Sequence, residues 1–224
     1  MSFKGAGTVF WAGCAVGLII AYLLGSVPTG YLAGKLLRGI DIRAHGSGST
    51  GATNVLRTLG KWPALAVLLV DILKGALAVW AARLLCGWLV TSSFAVPDGF
   101  DLQTLEPWWV CLSGLAVVLG HSQSVWLGFS GGKSAATGLG VLLAMSLVVG
   151  VGAALIFVLV LAVSRIVSLS SMLAAITAIG LVLGMAHPLP YQLLVIAGGL
   201  YVVGRHAANI KRLLAGTEPR LGRS

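Results

Sequence analysis

Four segments of this chain hold most of the residues that could act on an anionic substrate. The first is Asp41–Arg57. Gly46, Gly48 and Gly51 free the backbone for close approach, Ser47, Ser49, Thr50, Thr53 and Asn54 supply hydroxyls and an amide, and Arg43 and Arg57 add fixed positive charge. That mixture suits a phosphate group. No Gly-Lys-Ser/Thr follows at the P-loop spacing, so this is not a Walker motif. The second runs from Gly120-His121-Ser122-Gln123 to Gly131-Gly132-Lys133-Ser134, where glycines, a helix start and a lysine would attract an anion. The third, Ser164–Ser171, offers Ser168 and Ser171. The fourth, Arg205–Arg212, puts His206 and Asn209 three apart on one helical face, where they can orient a hydroxyl or meet developing oxyanion charge. Each segment also has a plainer reading: a flexible loop, an interfacial turn with a snorkelling lysine, a helix cap by Ser168, a passive histidine.

The elements between these segments decide whether they meet. Hydrophobic residues make up 58% of the 224 and charged residues only 9%, against about 25% charged in an ordinary soluble domain. Too little polar surface exists to face water on all sides. Gly5–Gly34 carries no charge and is long enough for a ~30 Å hydrocarbon core. It ends in Gly-Ser-Val-Pro-Thr-Gly rather than at a small-residue cleavage site, which disfavours a signal peptide. Breaks in the apolar pattern divide the chain into spans at 8–37, 62–86, 103–120, 135–148, 150–164, 169–186 and 189–205. The expectation is an all-α, polytopic integral membrane protein with seven transmembrane helices. The uncharged stretch between Lys133 and Arg165 is read as a hairpin turning near Gly150-Val151-Gly152, which returns both charges to one side. Pro28 should kink the first span. Asp71 and Lys74, inside the second, form either a structural i,i+3 pair or part of a polar site.

Seven crossings put the N-terminus outside and the C-terminus in the cytoplasm. Lys35, Arg38, Arg43, Arg57, Lys61, Lys133, Arg165, Arg205, Lys211, Arg212, Arg220 and Arg223 then fall inside, and only Lys4 and Arg83 fall outside, as the positive-inside rule requires. Asp98, Asp101 and Glu106 cluster in or just after the outer loop of about 87–102. The same rule accounts for the net charge of +9 without nucleic acid. The four polar segments now share the cytoplasmic face. Short helices in the core further favour a site partly sunk into the inner leaflet, where a lipid chain can enter sideways. Cys14, Cys86 and Cys111 lack metal-ligand spacing and read as free buried thiols, with a Cys86–Cys111 disulfide as the weaker reading.

Taken in order, the motifs resemble a known family. Gly-Ser-Gly-x-x-Gly-Ala-Thr-Asn-x-x-Arg at 46–57, Gly-His at 120–121 with Gly-Gly-Lys at 131–133, Ser-Leu-Ser-Ser at 168–171, and His-x-x-Asn-Ile-x-Arg-Leu-Leu-x-Gly-Thr-Glu at 206–218 look like the bacterial acyl-phosphate:glycerol-3-phosphate acyltransferases, the PlsY family. The resemblance covers about Gly25 to Glu218. It implies transfer of a fatty acyl group from acyl phosphate to the 1-hydroxyl of sn-glycerol 3-phosphate, giving lysophosphatidic acid and phosphate, the first acylation of phospholipid biosynthesis. It also implies a single membrane-embedded domain over 1–218 with a short basic tail at 219–224, in the bacterial inner membrane with the active site facing the cytoplasm. By the same resemblance Ser47, His206 and Asn209 are catalytic. Arg57 and Lys133 lie near substrate phosphate, Thr53, Asn54 and Ser171 line the site, and Gly46, Gly48 and Arg43 belong to the binding loop. The chain departs from the family pattern at Ser49, Gln123, Ser124, Ser130, Ser134 and Ala207. The partners implied are the two substrates, membrane lipids and a soluble enzyme that makes acyl phosphate. No cofactor and no metal are expected, since no cluster of hard oxygen ligands faces inside.

A membrane transporter for a phosphorylated metabolite is the main rival reading. It fits the spans and an anion site but predicts two related halves and a site near the midplane, and no internal repeat is visible. An acyltransferase with a His-x4-Asp motif is disfavoured, because His45, His121, His187 and His206 are followed at that distance by Thr50, Trp126, Gln192 and Lys211.

Overall fold

The computed structural model describes residues 4–91 and 101–222. Asp98, Arg223 and most of the expected outer loop lie outside those residues. Ten α-helices make up most of the chain described: α1 (Lys4–Ser26), α2 (Thr29–Arg38), α3 (Ala52–Leu59), α4 (Lys61–Thr91), α5 (Leu102–Ser122), α6 (Ala135–Met145), α7 (Leu147–Ser164), α8 (Val167–Gly184), α9 (Leu189–Arg205) and α10 (Ala207–Leu214).

Among the described residues, five stretches are long and apolar enough to cross a membrane: Gly7–Arg38, Lys61–Thr91, Leu102–Ser122, Leu147–Ser164 and Val167–Gly184. The pair α9–α10, bent by 57°, makes a sixth if it is one broken span. The first span is interrupted at Val27-Pro28, where the proline has no N–H to continue the ladder. The second, α4, runs unbroken for 31 residues. Outward-facing side chains such as Val163 (89% exposed) and Leu84 (74%) are apolar, as lipid-facing positions must be.

The helix expected at 135–148 is shorter than a span. With 11 residues, α6 reaches only ~16 Å. The turn between α6 and α7 also lies earlier than expected, at Ser146 rather than at Gly150–Gly152. Gly150 is not a turn residue. It sits within α7, and a Cβ there would press on the Leu143 backbone, so the glycine lets the two arms of the hairpin touch just past the turn. Ser146 instead caps the break, with its hydroxyl 3.2 Å from His187 Nε2.

The core runs along α1, α4, α5, α6, α7, α8 and α9 and includes Phe10, Val79, Val110, Val117, Val149, Val182 and Val195. The tightest helix contact is α4 on α6. A Cβ on Gly75 would strike the Thr137 carbonyl, and one on Gly140 would strike the Ile72 carbonyl. Backbones that approach this closely are how helices associate without a hydrophobic driving force. Cys14, Cys86 and Cys111 are all free and buried.

Candidate active site

The loop before α3 is built around one side chain. Asn54 is 1% exposed. Its amide nitrogen donates to the carbonyls of Ile42, His45 and Ser49 at 3.1, 3.0 and 2.8 Å, and its oxygen accepts from Ser47 N at 2.9 Å. Gly46, at φ +57°, packs so close to that oxygen that a side chain would displace it. Asn54 therefore shapes the loop that presents Ser47, and its own hydrogen bonds are spent on backbone. Gly48, at φ +72°, makes the second bend.

Arg43 points elsewhere. Its guanidinium pairs with Asp41 at 2.7 Å and lies 5.3 Å from the Tyr31 ring centroid. The Arg43 hydrogen bonds hold the Asp41 carboxyl down at about 2. Arg43, Gly46 and Gly48 support the loop from outside the cavity, whereas Ser47, Thr53, Asn54, Arg57, Lys133, Ser171, His206 and Asn209 all line it.

That cavity holds about 400 Å³. Its polar mouth is formed by the loop and first turns of α3, by the segment leading into α6, by the start of α8 and by the α9–α10 break. Gly132, just before Lys133, is held at both its carbonyl and its N–H. Arg205 Nη2 donates to the Gly132 carbonyl at 3.2 Å, and Gly132 N donates to the His121 carbonyl at 3.2 Å. The imidazole of His121 points its Nε2 edge at Gly132, so closely that a Cβ there would meet it. Asp71 anchors the arrangement from α4. Its Oδ1 accepts from Thr29 Oγ1 at 2.6 Å, pairs with Lys74 Nζ at 2.9 Å and lies 3.5 Å from His121 Nδ1. Lys74 also donates to the Val27 carbonyl, next to the Pro28 break. The Asp71–Lys74 pair is thus structural, and Asp71 and His121 also line the cavity.

At the other wall, Lys133 Nζ donates to Asn209 Oδ1 at 2.6 Å, and Asn209 Nδ2 donates to Glu218. Glu218 further accepts from Ser168 Oγ and Arg212 Nε, each at 2.7 Å. Burial alone would raise the Glu218 pKa, but hydrogen bonds from Asn209, Ser168 and Arg212 outweigh it and hold the carboxyl below its ordinary 4.5. Burial lowers the Lys133 pKa, with Arg212, Arg57 and Arg205 pushing the same way and Glu218 opposing. An arriving phosphate would relieve that repulsion. His206 is 4% exposed, and its Nδ1 lies 2.7 Å from the Val202 carbonyl. A carbonyl only accepts, so Nδ1 carries the proton and Nε2 is left with its lone pair.

Glu218 lines the cavity, and its place there was not evident from the sequence. It ended the fourth motif and is the only acidic residue after Glu106, which was the signal available. The departures at Ser49, Ser124, Ser130 and Ser134 spend their hydroxyls on backbone: Ser49 Oγ accepts from Gly51 N, while the other three donate to the carbonyls of Ser26, Leu127 and Val118. Below the mouth the lining becomes apolar, with Leu139, Leu142, Ala153, Phe157, Ala178 and Val195. Val158, 59% exposed, also lines it, so the cavity opens sideways toward the surface that faces lipid.

Residues 15–216 match the model of the glycerol-3-phosphate acyltransferase family. The chain belongs to that family. It is 72% identical over 216 residues to glycerol-3-phosphate acyltransferase 2 of Rhizobium johnstonii, covering 96% of this chain and 99% of that one. The glycerol-3-phosphate acyltransferase of Trichodesmium erythraeum is 53% identical over 93% of this chain and 92% of its own. Crystal structures of PlsY, an integral membrane glycerol 3-phosphate acyltransferase, superpose with a TM-score of 0.81 in the glycerol 3-phosphate form and 0.78 in the lysophosphatidic acid form. Both are 36% identical to this chain and cover 93% of it, and the match spans 96% and 95% of their own lengths. The protein is an integral membrane acyltransferase of phospholipid synthesis.

Proposed function

We propose that this enzyme acylates the 1-hydroxyl of sn-glycerol 3-phosphate with the acyl group of acyl phosphate at the cytoplasmic surface of the bacterial inner membrane. The observation that carries the proposal is one cavity with two characters, a cationic mouth at Arg57 and Lys133 and an apolar interior reaching toward lipid. Seven crossings serve this reading, with the N-terminus outside and the C-terminus inside. On it, α6 is short because it begins at the buried Gly132–Ser134 turn, beneath the membrane surface.

Both substrates carry phosphate, and Arg57 and Lys133 hold them by charge-assisted hydrogen bonds. The glycerol hydroxyl oxygen attacks the acyl carbonyl carbon, and the bond from that carbon to the phosphate oxygen breaks. The hydroxyl proton passes to His206 Nε2 or to the departing phosphate. Acyl phosphate is already activated, so a full relay with a carboxylate behind His206 is unnecessary; the Val202 carbonyl fixes the ring instead. Asn209 keeps one N–H beyond the bond to Glu218, and this serves the developing oxyanion together with Ser47. The acyl phosphate comes from a reaction that activates a fatty acyl group with phosphate.

The test is phosphate release by protein purified in detergent, given acyl phosphate and glycerol 3-phosphate, with acyl-CoA as the control donor. Release with acyl phosphate alone among the donors is expected. General acid–base groups contribute ~10²–10⁴-fold, so His206→Ala should lower kcat by at least about a hundredfold. Near-normal turnover in that variant would remove His206 from the mechanism, and equal use of acyl-CoA would overturn the donor assignment.

A further inference from the structure

The apolar interior of the cavity has a floor. Along the helices leading away from the mouth, its lining ends at Leu142 on α6, Ala178 on α8 and Leu194 and Val195 on α9. Ser134 to Leu142 covers ~12 Å and His206 back to Val195 ~16 Å at 1.5 Å per residue. Beyond the floor lies a second, narrow void with no room for a water molecule, lined by Met145, Ser146, Val149, Val182, His187 and Tyr191. The two spaces share two side chains, Leu142 and Val195. Those side chains are the partition between them. Val195 is 5% exposed and belongs to the core, and Leu142 packs partly buried against it. The polar groups beyond the partition, Ser146 Oγ and His187 Nε2, pair with each other at 3.2 Å. A methyl group arriving there would leave neither without a partner.

We propose that Leu142 and Val195 set the acyl-chain length that the enzyme accepts. The inference rests on the acyl-transfer reading above. Each methylene of a bound chain gains free energy as it leaves water, until the terminal methyl reaches the partition. One carbon more must displace two packed side chains, and overpacking a dense core is unfavourable. Trimming either side chain deepens the sleeve by the volume it removes, and enlarging either shortens it. The alternative is built into the same cavity: a chain that leaves sideways past Val158 into lipid never meets the partition and is indifferent to it.

The test is an internal competition. Purified enzyme is given glycerol 3-phosphate and an equimolar mixture of acyl phosphates of several even chain lengths, and the lysophosphatidic acids formed are weighed by mass spectrometry. The ratio is internal to each preparation, so a smaller yield of folded protein cancels. Val195→Ala should raise the share of the chain two carbons beyond the wild-type optimum by about tenfold, the gain expected from burying two further methylenes. Leu142→Phe should move the optimum to shorter chains, so a variant with a cavity and one with a filled floor shift in opposite directions. Distributions within twofold of wild type in both variants would overturn the inference and point to the sideways exit. A wild-type enzyme that forms no lysophosphatidic acid from any chain would remove the acyl-transfer reading, and this inference with it.

Discussion

At the residue scale the site turns on how one carboxylate is used. Glu218 does not touch His206. It gathers Ser168, Asn209 and Arg212, and through Asn209 it holds Lys133. The start of α8 and α10 therefore meet on one side chain, and its removal should act on both stability and catalysis. Hydrogen bonds to charged groups are worth ~1.5–3 kcal/mol, so Glu218→Gln should lower kcat by about tenfold or more. The KM for glycerol 3-phosphate should not rise, because the substitution deletes a negative charge beside a phosphate site. The pH dependence has a definite sign. The folded pKa lies below 4.5, so the carboxylate's contribution is fully present above that value and is lost as pH falls through the folded pKa. The Tm of wild type should therefore exceed that of Glu218→Gln at neutral pH, and the gap should close on acidification below about 4.5. A gap that stays constant down to the acid limit would mean that the carboxylate gains nothing from its charge.

At the scale of elements, α6 positions the chemistry, since it starts one residue after Ser134 and two after Lys133. Its position is set by α4, against which Gly75 and Gly140 allow backbone contact. Gly140→Val must push the two helices apart at the Ile72 carbonyl, and overpacking of this kind costs about 1–3 kcal/mol. The lowered Tm should come with a raised KM for glycerol 3-phosphate, because the displacement is carried to Lys133; a lowered Tm with unchanged KM would separate α6 from the site. These element contacts also mark what could be read in the sequence. Five of the seven expected spans, and the polar segments, were legible because charge, proline and apolar run length act locally. The hairpin was legible too, but its turn was misplaced, because glycine serves equally as a turn residue and as a contact surface. The 150–152 glycines read as the first, whereas Gly150 is the second. Asn54 was legible as a member of the polar loop from its motif. That its amide is consumed by the carbonyls of Ile42, His45 and Ser49 depends on how the loop closes around it. The importance of Glu218 depends on the tail folding back to α8, which no local pattern encodes.

At the scale of the whole molecule, the two ends of the helix bundle differ in chemistry. Contacts tie the cationic segments to one another at one end: Arg205 to Gly132, Lys133 to Asn209, and the Leu221 amide to the Arg165 carbonyl at 2.8 Å. At the opposite end Arg83 is spent on internal partners, the Ala144 and Met145 carbonyls at the end of α6, the Tyr191 hydroxyl and Glu106 at 3.3 Å. Basic loops stay cytoplasmic, and a negative inner-leaflet surface favours each exposed Lys or Arg by ~1 kcal/mol. The bundle should therefore insert with Arg57, Lys133 and the C-terminus inside, where the phosphorylated substrates are, and with the end of α4 outside. Single cysteines would check this in a variant whose three buried cysteines are replaced. Thr91→Cys, exposed at the end of α4, should react with a membrane-impermeant thiol reagent in intact spheroplasts, and Ala44→Cys, exposed beside the site, should react only after permeabilisation. The reverse pattern would invert the protein. Labelling of both sites from outside would mean that α4 does not carry the chain across the membrane, and would break the link between the two chemically distinct ends and the two sides of the bilayer.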